Sequence, residues 1–287
     1  MPISGAARLA GIMGWPVAHS RSPALHGFWL AEHGIDGAYV PLAVPPDRLE
    51  QALRALPALG FRGCNLTIPH KQAALRIMDR VDPFAQSIGA MNTVIVTPEG
   101  ELEGSNTDVF GFRENLREQA PNWQASAGPA VVLGAGGGAR AVIAALVAAG
   151  TAEIRLVNRS PIRAQTLASD LATPETRIVV HSWEQRAEVL AGAGILVNTT
   201  SLGMDKEPPL DIDLAALPQS AVVVDIVYVP LETRLLAAAR RRGNLAVEGL
   251  GMLLHQGRPG FAAWFGAAPQ VTPALRKAML ATFAGSR

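Results

Sequence analysis

Cysteine is nearly absent from this chain: Cys64 is the single one among 287 residues. One thiol cannot build an internal disulfide framework, which excludes the small stapled secreted scaffolds and fits a reducing compartment. An excess of either charge is also missing. Lys plus Arg number 25 against 24 for Asp plus Glu, a net charge of +1, so no global field exists to hold nucleic acid or an anionic membrane surface. Charged residues make up 17% and apolar ones 49%, the reverse of the balance in a disordered chain. Long apolar runs are lacking too. The most apolar stretch, 141–149, has about half of the ~20 residues that a membrane span needs, and Arg140 and Gly150 bound it. The segment 1–14 has one arginine and no apolar core, so no secretory signal is expected and a cytoplasmic location is.

What is present is an alternation of short β-branched runs with longer Ala/Leu/Arg segments, the pattern of β/α units around a mainly parallel sheet. In the first third the strands are expected at Leu9–Met13, Ala38–Val44, Gly63–Ile68 and Thr93–Thr97. Helices are expected to start at Ser22-Pro23, Pro46-Asp47 and Pro69-His70, because proline in a first helical turn forgoes no helical hydrogen bond. A polar, turn-rich stretch at 120–129 precedes a second series: 130–133, Ile154–Val157, Ile178–Val180, Ile195–Asn198, Val222–Ile226 and Leu245–Val247. The fold class is therefore α/β, with an N-terminal α/β substrate domain over 1–108 and a Rossmann-type doubly wound domain over 109–249. Residues 250–287 read as helices without strands of their own, which are expected to pack back on the first domain.

The strongest local signal lies at the start of the second series. Val131-Val132-Leu133 runs into Gly134-Ala135-Gly136-Gly137-Gly138-Ala139, with a helix expected from about Ala139 to Ala149. Gly134 permits the tight turn, Gly136 lets backbone approach a pyrophosphate, and Ala139 allows close helix–strand packing. The helix N-terminus offers free N–H groups and the positive end of its dipole to phosphate. The second strand of this series ends in Asn158-Arg159-Ser160-Pro161-Ile162-Arg163. No acid is there to hold a ribose 2′-hydroxyl, and two arginines stand where a 2′-phosphate would lie, so the cofactor is expected to be NADP rather than NAD.

A second constellation occupies the first third. Ser20 and Ser22 precede an expected helix. Asn65 and Thr67 share a face of a strand end, and Lys71 is expected one turn into the helix that follows. Asn92, Asn106 and Asp108 add two amides and an acid at element ends. Together they suit a small, polyhydroxylated, carboxylated ligand. Singly, Ser22 and Asp108 also read as helix caps, and Asn92 and Asn106 as turn residues.

In order along nearly the whole chain, these segments resemble the shikimate dehydrogenase family. The resemblance rests on Gly14-Trp15-Pro16-Val17-Ala18-His19-Ser20-Arg21-Ser22-Pro23, Asn65-Leu66-Thr67-Ile68-Pro69-His70-Lys71, Gly89-Ala90-Met91-Asn92-Thr93 and Asn106-Thr107-Asp108. It continues through the glycine loop, Asn158-Arg159-Ser160, Asp225-Ile226-Val227-Tyr228 and the run Gly249–Gln256. Carried over residue by residue, it implies that Ser20 and Ser22 bind the substrate carboxylate. Asn65, Thr67, Asn92, Tyr228 and Gln256 would hold ring hydroxyls, and Lys71 and Asp108 would be the catalytic residues. Gly134, Ala135, Gly136, Gly137, Gly138, Asn158, Arg159 and Arg163 would hold NADP, with Ile226 and Gly249 near the nicotinamide. Two positions depart from the family pattern: Glu248 stands where many members carry Asp or Asn, and Ile226 where Met is frequent.

The implied reaction is reversible reduction of 3-dehydroshikimate to shikimate by NADPH. The implied partner is that small substrate, with no nucleic acid and no membrane; a homodimer stays open. A quinate-oxidising, NAD-using member of the same superfamily is the nearest alternative, which the Asn158-Arg159 end disfavours. A regulatory protein on this fold would be expected to lose Lys71 or Asp108. The remaining histidines, His26, His33 and His181, lack metal-ligand spacing, so no metal site is expected.

Overall fold

In the computed structural model, which describes residues 3–284, the β-branched runs become strands and the alanine- and leucine-rich segments become helices. The chain divides into two units. The first takes the chain up to Thr107 and again from Leu253; the second is Asp108–Met252.

Unit 1 begins β1 (Arg8–Gly14), α1 (Ser22–Glu32), β2 (Gly37–Ala43), α2 (Leu49–Ala55) and β3 (Phe61–Leu66). It continues β4 (Arg80–Val81), α3 (Pro83–Ile88), β5 (Thr93–Val96) and β6 (Leu102–Ser105). The sheet order is β2-β1-β3-β5-β6-β4. It is parallel from β2 through β3 and antiparallel on both sides of β5. Helix α1 starts at Ser22-Pro23 and buries Leu25, His26, Trp29 and Leu30, spaced to lie on one helical face. At Pro46 a single 3-10 turn, Pro46–Arg48, leads into α2.

The helix expected from Pro69-His70 does not form. Residues 68–72 make turns, followed only by a short 3-10 segment at Ala73–Arg76. The Lys71 carbonyl, which a helix would use for its own next turn, accepts from the Met91 N–H at 2.9 Å. The His70 ring is likewise tied away, its Nε2 bonded to Val44 O at 2.8 Å. Lys71 therefore sits in a turn tied to the segment before β5 rather than on a helix.

Unit 2 contains α4 (Asp108–Gln119), β7 (Ala130–Leu133), α5 (Gly137–Ala148), β8 (Glu153–Val157), α6 (Pro161–Leu171) and β9 (Arg177–His181). It continues β10 (Ile195–Asn198), β11 (Val222–Asp225), α7 (Arg234–Arg242) and β12 (Leu245–Val247). The sheet order is β12-β11-β10-β7-β8-β9, and every pair is parallel. Counted from β7 this is the order 3-2-1-4-5-6, the doubly wound arrangement that the sequence predicts. Val131, Leu133, Leu196 and Val223 are buried in its core. The glycine-loop helix begins two residues earlier than expected, at Gly137.

The chain ends with α8 (Leu250–Phe265) and α9 (Pro273–Ala284). Helix α9 packs on α1. Trp264 of α8 donates its indole N–H to Val94 O at 3.0 Å, and Trp29 donates to Gln270 O at 3.1 Å. Among the described residues no helix is long and apolar enough to cross a membrane.

Candidate active site

Within unit 2 the strand order reverses at β7, and the loops after β7 and β10 flank that point. The β7 loop is the glycine string. Gly134 has φ +106°, a left-handed conformation, and a Cβ there would stand 2.7 Å from Thr199 Oγ1 on the neighbouring loop. Gly136 is the N-cap of α5, contributes no side-chain cap, and faces open space where a Cβ would be. An uncapped helix start with bare backbone before it is the shape a pyrophosphate needs. The next helix differs: Ser160 caps α6 by accepting from the Arg163 N–H. Asn158 donates its Nδ2 to Ser160 O at 2.9 Å, which sets the turn that leaves Arg159 and Arg163 exposed. Among the described residues neither arginine has an acidic partner. A 2′-phosphate would meet two available guanidinium groups, so the donor set fits NADP.

Three further expected residues converge. A Cβ on Gly138 would lie 2.9 Å from Ile226 Cδ1, and one on Gly249 would lie 2.4 Å from Ile226 O. At Gly249 the obstacle is the backbone of Ile226 and Val227, so only glycine lets the loop after β11 pass so close, whereas Gly138 meets only the tip of the Ile226 side chain. The same loop carries Tyr228, half-buried, and Asp108 is the buried first residue of α4.

Sequence reasoning gives Asp225 no role of its own, and the structure makes it the tie of this loop. Its Oδ1 accepts from Val227 N at 3.0 Å and Asn198 Nδ2 at 2.9 Å, and its Oδ2 accepts from Thr233 Oγ1 at 2.7 Å. Thr233 also caps α7, and Asn198 Oδ1 accepts from the N–H and hydroxyl of Thr200. Burial outweighs these bonds and pushes the Asp225 carboxyl up to about 6.

Within unit 1 the expected substrate residues gather around the ends of β1 and β3. Trp15 N bonds Ile68 O at 3.0 Å and Thr67 N bonds Met13 O at 2.9 Å, joining the serine segment to the lysine segment. A Cβ on Gly14 would reach 2.4 Å from Thr67 Cγ2, so glycine lets Thr67 close over β1. Ser20 Oγ accepts from Ser22 N at 3.3 Å. Ser22 is buried as the first residue of α1, and no side chain caps that helix.

Asn92 Oδ1 accepts from Thr107 N at 2.8 Å and from the hydroxyls of Thr93 and Thr107, each at 3.1 Å. Asn65 donates to Asn92 O at 3.0 Å and to Thr93 Oγ1 at 3.1 Å. Asn106 serves a turn, donating to Ala90 O at 2.9 Å. Gln256, half-buried, comes to unit 1 from α8. Thr93 and Thr107, which no motif singles out as ligands, thus knit Asn65 and Asn92 into one network. Their adjacency to Asn92 and Asp108 along the chain is the signal that could have found them.

Known proteins resemble this chain in sequence and fold. A family model described as the shikimate dehydrogenase substrate binding domain matches residues 12–94, and one described as shikimate / quinate 5-dehydrogenase matches residues 116–226. The NADP(+) shikimate dehydrogenase of Paramagnetospirillum magneticum is 61% identical over 278 residues, spanning 97% of this chain and 100% of that one. The structure of Thermus thermophilus shikimate 5-dehydrogenase with NADP(H) and shikimate aligns at a TM-score of 0.84 and 38% identity, over 96% of this chain and 99% of that one. Corynebacterium glutamicum quinate dehydrogenase with NAD aligns at 0.88 and 34%, over 96% and 99%.

Proposed function

The chain belongs to the shikimate dehydrogenase family, and on that footing we propose how its own residues carry the family's reaction. It catalyses the NADPH-dependent, reversible reduction of 3-dehydroshikimate to shikimate, a step toward the aromatic amino acids. The observation that carries the residue roles is the joined network of Asn65, Thr67, Asn92 and the Lys71 turn in unit 1.

In this reading Ser20 and Ser22 hold the substrate carboxylate, and Asn65, Thr67, Asn92, Tyr228 and Gln256 hold the ring hydroxyls. Gly134–Gly138, Asn158, Arg159 and Arg163 bind NADP, and Ile226 and Gly249 border its nicotinamide. When bound, NADPH supplies the hydride. The protein's task is to align the reacting carbon and to manage one proton. Lys71, as an ammonium, gives a proton to the carbonyl oxygen as negative charge develops there, and recovers it from the hydroxyl in the oxidation direction. Asp108 accepts the hydrogen bond of that hydroxyl and so orients it. Such acid–base assistance is worth about 10² to 10⁴ in rate. A cytoplasmic location belongs to the same proposal, supported by Cys64 being a buried free thiol.

Substituting Lys71→Ala tests the assignment. The expected result is a kcat about 10² to 10⁴ lower with NADP⁺ binding, measured by nucleotide titration, unchanged. Near-full turnover by the variant would overturn the role given to Lys71.

A further inference from the structure

The chain has two tyrosines, and the proposed function gives a role only to Tyr228. The other, Tyr39, is buried on β2 at the edge of the first sheet. In register with it stand Ala10 on β1 and Gly63 on β3, neither carrying more than a methyl group. The phenol can therefore cross β1. Its hydroxyl reaches Asn65 Oδ1, two strands away, at 2.7 Å, and is also hydrogen-bonded to the Ser22 side chain.

The direction of each bond follows from counting hydrogens. Asn65 gives both amide hydrogens to Asn92 O and Thr93 Oγ1, so only its oxygen faces Tyr39. An amide oxygen can only accept, hence the single hydrogen of Tyr39 goes to Asn65. The hydroxyl of Ser22 must then be the donor to the Tyr39 oxygen. Burial raises the Tyr39 hydroxyl well above its ordinary range, which keeps that hydrogen in place. The ring itself cannot swing away. His26 of α1 lies flat against it, ring centroids 3.9 Å apart and planes 4° from parallel. Burial lowers His26 to about 3, so it stacks as a neutral ring.

We propose that Tyr39 is a positioning residue for the substrate, acting through Asn65: its hydroxyl holds in place the acceptor end of an amide whose polarity Asn92 O sets. The inference rests on the reading of Asn65 as a substrate-binding residue. With both amide hydrogens used inside the protein and one lone pair of Oδ1 taken by Tyr39, Asn65 meets the ligand as an acceptor. It therefore selects a ring hydroxyl and is the wrong partner for a ketone or carboxylate oxygen. Ser22 has a different freedom, since its hydroxyl can turn from Tyr39 to an arriving carboxylate.

Tyr39→Phe tests this, because it keeps the ring, the stack on His26 and the volume while removing one hydroxyl. The KM for shikimate should rise about two- to twelve-fold, the span that one neutral hydrogen bond commands. The KM for NADP⁺ and kcat should stay within about two-fold, which also reports that the fold is intact. In an Asn65→Ala background the same change should add less than about two-fold, since the group it positions is gone. If Asn65→Ala raises the shikimate KM but Tyr39→Phe does not, or Tyr39→Phe adds its full effect in the Asn65→Ala background, the proposal falls and the substrate reading stands. If Tyr39→Phe raises both KM values alike or lowers kcat instead, its role is general packing and the proposal falls in the same way. If Asn65→Ala leaves the shikimate KM unchanged, the substrate reading of Asn65 falls and takes the proposal with it.

Discussion

Asp225→Asn should change the acid stability of the protein in a direction that the buried network dictates. The Asp225 carboxyl titrates at about 6 against an ordinary value of 3.8, because burial raises it more than its three hydrogen bonds lower it. The folded chain therefore prefers the neutral acid. Below about pH 4 the group is protonated folded or unfolded, and the fold bears no penalty. Above about pH 6 it is ionised in both states. Each tenfold gain in proton affinity on folding corresponds to about 1.4 kcal/mol, so the buried charge costs about 3 kcal/mol there. Stability contributed by this carboxyl is thus lost as pH rises from about 4 through 6. Asparagine reproduces the neutral acid. Its Oδ1 can accept from Val227 N and Asn198 Nδ2, and its Nδ2 can donate to Thr233 Oγ1, which keeps each contact of the native network while reversing the direction of the last. Paired urea titrations at pH 4 and pH 7 should show the native protein losing about 2 to 3 kcal/mol relative to the variant over that interval. A difference that is constant with pH, or that grows in favour of the native chain, would refute the reasoning.

Other consequences concern the backbone and the cofactor. Gly63 has φ +144°, and a Cβ there would lie 2.0 Å from Val94 O, so Gly63→Ala should destabilise unit 1 by about 3 kcal/mol or more, read as a lowered urea midpoint. Arg159→Ala should raise the KM for NADP⁺ about 10- to 150-fold, the worth of a charge-assisted bond of about 1.5–3 kcal/mol, and leave that for NAD⁺ within about two-fold. Gly249→Ala should disturb the loop carrying Ile226 and Tyr228, lowering kcat with both nucleotides, because its Cβ would overlap Ile226 O.

The second sheet is legible in the sequence because a parallel sheet is covered on both faces. Its strands read as unbroken runs such as Val222-Val223-Val224, fully or nearly buried. Strands β4 and β6 in the first sheet carry exposed charges, Arg80 and Glu103, that pair with one another at the edge, and their composition does not announce a strand. Pro69-His70 has the composition of a helix start, but the Met91 N–H takes the Lys71 carbonyl, a partner that no local pattern reveals. The same reason hid Tyr39 and Asp225. Their partners lie 26 and 27 residues away, at Asn65 and Asn198, and only the strand order brings them together. The glycine loop was readable because its constraint is local: the turn and the helix start fall within five residues.

The most direct test of the account measures the absorbance of reduced nicotinamide when the purified protein is mixed with shikimate or quinate and with NADP⁺ or NAD⁺. Rapid reduction with shikimate and NADP⁺, and much slower rates in the other three combinations, is the expected result. Absence of a signal with shikimate and NADP⁺, or comparable turnover of quinate with NAD⁺, would contradict it.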